Sequence, residues 1–290
     1  MQPMSEPAPT VHLGLPAWAF PGWQGPYFRR GIAPLSDYAR VFDTVEGNTT
    51  FYRRPDAERV AAWGDAVAGT DFRFCFKLPR SVTHDERPDF DELDAFCRAV
   101  EPLSDHLGPL LVQFPDRFGP DRLDLMDAVL ERLPDHRPHV LEVRHPAFFE
   151  QPERLEPLLE RFGLGRVSMD TRALFGGDLD HPEVRAARHE KPDLPVLDRV
   201  YNELRFVRLV LHPSGQGNEA VTAEWAQRLA ADVAAGRTVY MMIHCPNNLH
   251  CPPFARRFHD ELRHRSATAL PPLPDWPAGS AAEQPPLFPS

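Results

Sequence analysis

Eight short apolar runs alternate with helix-like stretches along this chain, at roughly 30-residue intervals. They are VHLGLPAW from Val11, VFDTVEGN from Val41, FRFCFK from Phe72, LLVQF from Leu110, HVLEVRH from His139, LGRVSMD from Leu164, FVRLVLH from Phe206 and TVYMMIH from Thr238. A chain that repeats strand then helix eight times leaves no exposed sheet edge if it closes into a parallel barrel, so the expected fold is α/β, a single (β/α)8 TIM-type barrel. Such a barrel carries its site where the strands end at their C-terminal side. The polar residues at those positions are Glu46, Asn48, Lys77, Gln113, Glu142, Arg144, His145, Asp170, Arg208, His212 and His244.

A length of 290 residues suits one closed barrel, so one domain is expected. The stretches from Pro55, Asp89, Asp121, Glu153, Thr222 and Phe254 repeat apolar residues every three to four positions and read as the outer helices. Two places break the rhythm: the loop Pro21 to Phe28, and the long weakly periodic segment from Gly176 to Asn202. Long connections on the catalytic side of a barrel commonly form substrate loops or lids. Residues 1–10 read as a disordered start, 11–266 as the barrel, and 267–290 as a Pro-rich disordered tail.

The 32 basic and 42 acidic residues give a net charge of −10, which works against sequence-blind attraction to nucleic acid backbone while leaving room for a local basic pocket. No apolar run approaches the ~20 residues needed to span a bilayer, and a cytoplasmic location is expected. Four scattered cysteines are expected to be reduced thiols. Walker, G-x-G-x-x-G and G-x-S-x-G motifs are absent, which disfavours P-loop, Rossmann-type and serine-hydrolase chemistry.

Strand alternation puts Glu46 with Asn48, and Glu142 with Arg144, on one side. Charges inside a small barrel must pair, meet water or meet a ligand. One reading is a salt-bridged layer helped by Lys77 and Arg208. The other makes Glu46 and Glu142 general acid and base, with Asp170 as a further catalytic candidate, and gives an anion to Lys77, Arg144 and Arg208. Asn48, Tyr52, His84, Gln113, His212 and Asn247 complete the expected substrate-binding set. Glu142, His145, Asp170, His212 and His244 also offer ligand types that divalent metals accept, with His145 and His244 as metal candidates. The eight-residue stretch HCPNNLHC invites a zinc reading that its spacing opposes, since adjacent residues at a strand end point to opposite sides.

Taken together, VEGNTTFYRRP at Val45, FRFCFKLPRSVTH at Phe72, LGPLLVQFP at Leu107, LEVRH at Leu141, FVRLVLH at Phe206 and VYMMIHCPNN at Val239 resemble the YecE-like family, domain of unknown function 72. The resemblance spans about Leu13 to Leu262 and implies the same barrel; it supplies no reaction. Where relatives often carry Phe-Asn-Asn after the eighth strand, this chain has IHCPNNLHC. The expected function is action on a phosphate-bearing or nucleic-acid-derived substrate. Alternatives are a carbohydrate-active barrel with Glu46 and Glu142 as paired carboxylates, and a non-catalytic nucleic-acid or partner-binding module. In the tail, Gln284, Leu287 and Phe288 make a Q-x-x-L-F sequence resembling the peptides by which bacterial replication and repair proteins dock on the sliding clamp, so the clamp is an expected partner.

Overall fold

The structure is a computed structural model that describes residues 11–32, 34–188 and 190–279. Every expected strand is present: β1 (Val11–Leu15), β2 (Thr44–Gly47), β3 (Arg73–Phe76), β4 (Leu110–Gln113), β5 (His139–Glu142), β6 (Gly165–Asp170), β7 (Leu204–Val210) and β8 (Thr238–His244). All pairings are parallel, in the order β3-β2-β1-β8-β7-β6-β5-β4. Between β3 and β4 the barrel closes only through isolated bridges, Phe74 with Leu107 and Lys77 with Leu111.

Two separate apolar groups follow from the alternation of the strands. Cys75, Leu111, Val140, Val167, Phe206, Tyr240 and Met242 fill the barrel interior as a plug. The larger group lies outside the strands, under helices such as Ala57–Val67, Phe90–Val100, Asn218–Ala234 and Cys251–Arg265. Local chemistry sets their ends. Asp56 caps the first by accepting from the Arg59 amide at 2.8 Å, and Asp89 caps the second through the Glu92 amide at 2.9 Å. The last helix begins at Cys251, ahead of the expected start at Phe254, so Pro252 and Pro253 occupy its first turn, where a missing N–H costs nothing.

The segment expected to start a disordered tail packs on the barrel as far as residue 279. Leu270, Leu273 and Trp276 lie against the outer core, and the Trp276 ring sits tilted against Tyr27 and under the Arg256 guanidinium. Arg256 also donates to the carbonyls of Leu273 and Pro274. The sequence shows no helical or strand period here because the segment forms neither and is held by three separate apolar anchors. Residues 1–10 and the clamp-like Gln284, Leu287 and Phe288 lie outside the described residues. Among the described residues no helix is long and apolar enough to cross a membrane.

Candidate functional site

Directly above the apolar plug, the next inward-facing position of six of the eight strands is polar. Glu46 is next to last in β2, Lys77 follows β3, Gln113 ends β4, Glu142 ends β5, and Arg208 and His244 come from β7 and β8. The centre is Arg208. Its Nε and Nη2 donate to the two oxygens of Glu46 at 2.7 and 2.8 Å, and its Nη1 donates to Glu142 at 2.6 Å. Arg144 Nε holds the other Glu142 oxygen at 2.8 Å, Asn48 Nδ2 donates to Glu46 at 2.8 Å, and His244 Nε2 lies 3.1 Å from Glu46. Gly47 makes room for this arrangement, because a side chain there would strike the Phe76 ring.

Burial alone would raise Glu46, but Arg208 and His244 outweigh it and hold the carboxyl well below its usual range. Glu142 is likewise brought to about 2, with Arg208 and Arg144 outweighing burial. Burial pushes His244 down to about 4 against the pull of Glu46, so the ring is neutral at pH 7. Two carboxylates and two guanidiniums therefore balance.

The lysines are extra. Lys77 is 8 % exposed, and its Nζ sits 3.6 Å from the centre of the Phe51 ring. Burial, with Arg208 next, lowers it to about 7. Lys191, which the sequence reading missed, arrives from the long segment between β6 and β7. Its electrostatic neighbours are Arg208, Glu46, Arg144 and Glu142, and burial brings it to about 8. Among the described residues neither lysine forms an ion pair, since Glu46 and Glu142 are taken by Arg208, Arg144 and His244. A signal for Lys191 was present in the composition: these are the two lysines of the whole chain, against 30 arginines.

Beside Lys77, His84 Nε2 and the Gln113 amide nitrogen are 3.3 Å apart, His84 Nδ1 meets the Thr83 hydroxyl at 2.8 Å, and the Gln113 carbonyl oxygen is buried without a partner. Burial, then the charges of Lys77, Arg144, Arg117 and Arg80, push His84 down to about 3. Tyr52 is 79 % exposed at the rim.

The segment carrying Lys191 is fastened over the site by main-chain contacts. Arg144 donates to the Glu190 carbonyl at 3.0 Å, Thr171 to Pro192 at 3.0 Å and Ser168 to Leu197 at 3.1 Å. His212 belongs to this fastening and not to the charged cluster, with Nε2 3.1 Å from the Asp178 carbonyl. Asn247 donates to Glu183 of the same segment at 2.8 Å. Asp170 is also displaced from the expected set. Val167 and Met169 take the inward positions of β6, so Asp170 faces outward, where Arg172 and the Trp225 indole hold it at 2.7 Å each.

The metal candidates do not meet. His244 is inside the barrel on Glu46, whereas His145 accepts the Ala147 amide at 3.2 Å and lies against the loop at Gly119. Among the described residues no group of three or more His, Cys, Asp or Glu side chains is arranged to hold a metal ion. Burial pushes Cys251 up to about 12 and Cys245 higher still, which keeps both thiols protonated and poor ligands.

A family model described as a protein of unknown function, DUF72, matches residues 12–278. The chain belongs to this family. UPF0759 protein YecE of Escherichia coli K12 is 32 % identical over 258 residues, covering 87 % of this chain and 93 % of that protein. Solved DUF72 structures from Enterococcus faecalis V583 (TM-score 0.69, 18 % identity, 92 % of this chain and 100 % of that one) and Thermotoga maritima MSB8 (TM-score 0.63, 20 % identity, 88 % and 99 %) share the fold. The family match runs past the barrel to residue 278, through the strap that carries Trp276.

Proposed function

We propose that the charged layer above the apolar plug is an enzyme site for a small anionic substrate, with a phosphate or carboxylate group held by Lys77, Arg144 and Lys191. One observation carries this reading: the Glu46–Arg208–Glu142–Arg144 cluster is already neutral, and two further lysines lie within its electrostatic reach without carboxylates of their own. Placing unpaired cations in a buried chamber is costly unless an anion completes the balance. Arg80 and Arg117 around His84 extend the positive potential toward the rim. The nucleic-acid-derived class stays within this reading as a phosphate-bearing fragment.

The sugar-hydrolase alternative finds less support. Paired-carboxylate chemistry needs one carboxyl kept protonated by a raised pKa, whereas Glu46 and Glu142 are both held low by arginine.

The test is calorimetric titration with inorganic phosphate, a phosphate monoester and a neutral sugar. The anions are expected to bind, to weaken with salt, and to weaken as pH rises through about 7 to 8, where Lys77 and Lys191 lose their protons. Binding of the neutral sugar alone would overturn the reading.

A further inference from the structure

Thirty arginines and two lysines in 290 residues is an extreme division of labour. Every described ion pair to a carboxylate uses arginine or histidine, on the surface and in the core alike, so this chain has no general use for lysine as a charge. What lysine can do and arginine cannot is lose its proton near neutral pH and present a nucleophilic amine. Both lysines lie beside one charged cluster, each within electrostatic reach of Arg208, Arg144, Glu46 and Glu142. Lys77 stands directly after β3, with its Nζ over the Phe51 ring and a buried, partnerless Gln113 carbonyl oxygen in the neighbouring strand. An unpaired buried acceptor is unfavourable, and a donor on a bound molecule would relieve it.

We infer that Lys77 is a covalent amine catalyst that forms an iminium with a small carbonyl compound whose carboxylate or phosphate group is gripped by Arg144 and Lys191. This rests on the anion reading above and names its substrate class. The Nζ lone pair attacks the carbonyl carbon, and the oxygen receives the proton that the nitrogen gives up, which makes a neutral carbinolamine. The hydroxyl then leaves, protonated to water, and the C=N bond carries one positive charge. The balance is one proton taken up and one water released for each molecule bound. The amine is available for this because burial and Arg208 bring Lys77 to about 7. The resulting cation faces Glu142 and Glu46, whose charges Lys77 already senses. Lys191 sits on the fastened segment and so reaches the anionic group only when that segment is in place.

The experiment incubates the full chain separately with pyruvate, dihydroxyacetone phosphate, acetone and lactate, each with cyanoborohydride, and reads intact mass and a peptide map. Two ε-amino groups make the map unambiguous. Expected is one reduced adduct on the Lys77 peptide with pyruvate or dihydroxyacetone phosphate, whichever anion fits, and none with lactate, which lacks a carbonyl. Lys77→Arg, which keeps the charge, should abolish it. Lys191→Met should need roughly tenfold more substrate for the same yield, the loss of one charge-assisted contact. Calorimetry with phosphate and lactate runs in parallel. Anion binding without an adduct, or an adduct that survives Lys77→Arg, overturns the iminium and leaves the anion pocket standing. Acetone labelling Lys77 as readily as the oxo anions, with no anion binding, supports the amine chemistry and overturns the anion reading. Because the map locates the adduct in the unmodified chain, the test stands even where a variant fails to fold.

Discussion

Arg205 and Arg208 lie three residues apart on β7, both almost fully buried and both paired to two carboxylates, yet they belong to different machines. The odd spacing sends them to opposite faces of the strand. Arg205 points outward and ties β7 to Asp232 of the helix Asn218–Ala234 and to Asp198, both at 2.8 Å. Each of those carboxylates is shared with a second arginine, Arg237 for Asp232 and Arg228 for Asp198. Arg208 points inward and is the principal counter-charge for Glu46 and Glu142. The lesson is that burial and ion pairing do not by themselves mark a site. What separates the two is the remainder: outside, the surplus cations already have acceptors, while inside, Lys77 and Lys191 do not.

The sharpest way to break this comparison is to delete each arginine in turn. Arg208→Met leaves two buried carboxylates facing each other, and the expected loss is about 3–5 kcal/mol by urea denaturation at pH 7. If Arg208→Met cost no more than Arg205→Met, the central role given to Arg208 would be wrong. Lys77→Met should act in the opposite direction. Its folded pKa lies below the unfolded value, so the unfolded chain binds more protons between about pH 7 and 10.5, and stability rises with pH across that window. Removing the amine should therefore stabilise the protein by about 2–4 kcal/mol below pH 7, with the gain shrinking toward pH 10, while anion binding is lost. A variant less stable than the parent at pH 6 would contradict the idea of an uncompensated lysine. Arg205→Met should cost about 1–2 kcal/mol and leave anion affinity unchanged, because Arg237 and Arg228 remain on its partners.

The smallest effect concerns His244, which is neutral in the folded chamber. Its folded pKa of about 4 lies below the unfolded value near 6.5, so stability falls as pH drops below 6.5. One such histidine contributes about 1 kcal/mol of loss between pH 6.5 and 5.5. His244→Gln should flatten the acid limb of the stability curve by that amount. An unchanged slope would mean that the ring is already protonated beside Glu46.

Most of the fold was legible because strand and helix periods are local properties, and all eight expected strands appear in the structure. The polar layer was legible for the same reason: a two-residue period that ends in Glu46, Glu142 or Arg208 predicts which face they share. Asp170 shows where that reasoning stops. It ends its strand as the others do, but the inward register of β6 is set by Val167 and Met169, and pairing partners fix register. Lys191 was illegible by periodicity, since it sits in a segment held through main-chain carbonyls to Arg144, Thr171 and Ser168. Histidine chemistry misled for a similar reason. His145, His212 and His244 look alike at strand ends, and only the fold separates a loop contact, a segment fastener and a carboxylate partner.

The incomplete seam between β3 and β4 divides the chamber into walls of unequal stiffness. On one side Arg208 and His244 stand on β7 and β8, laced together along their full length from Leu204–Thr238 to Val210–His244. On the other side Lys77 and Gln113 flank the junction that only the bridges at Phe74 and Lys77 hold shut. Fluctuations that pull neighbouring strands away from each other cost least where the fewest hydrogen bonds must break, so amides along this seam should exchange with solvent before those of β7 and β8. The wall that carries Arg208 and His244 should thus be the last to open, and the side that carries Lys77 and Gln113 the first.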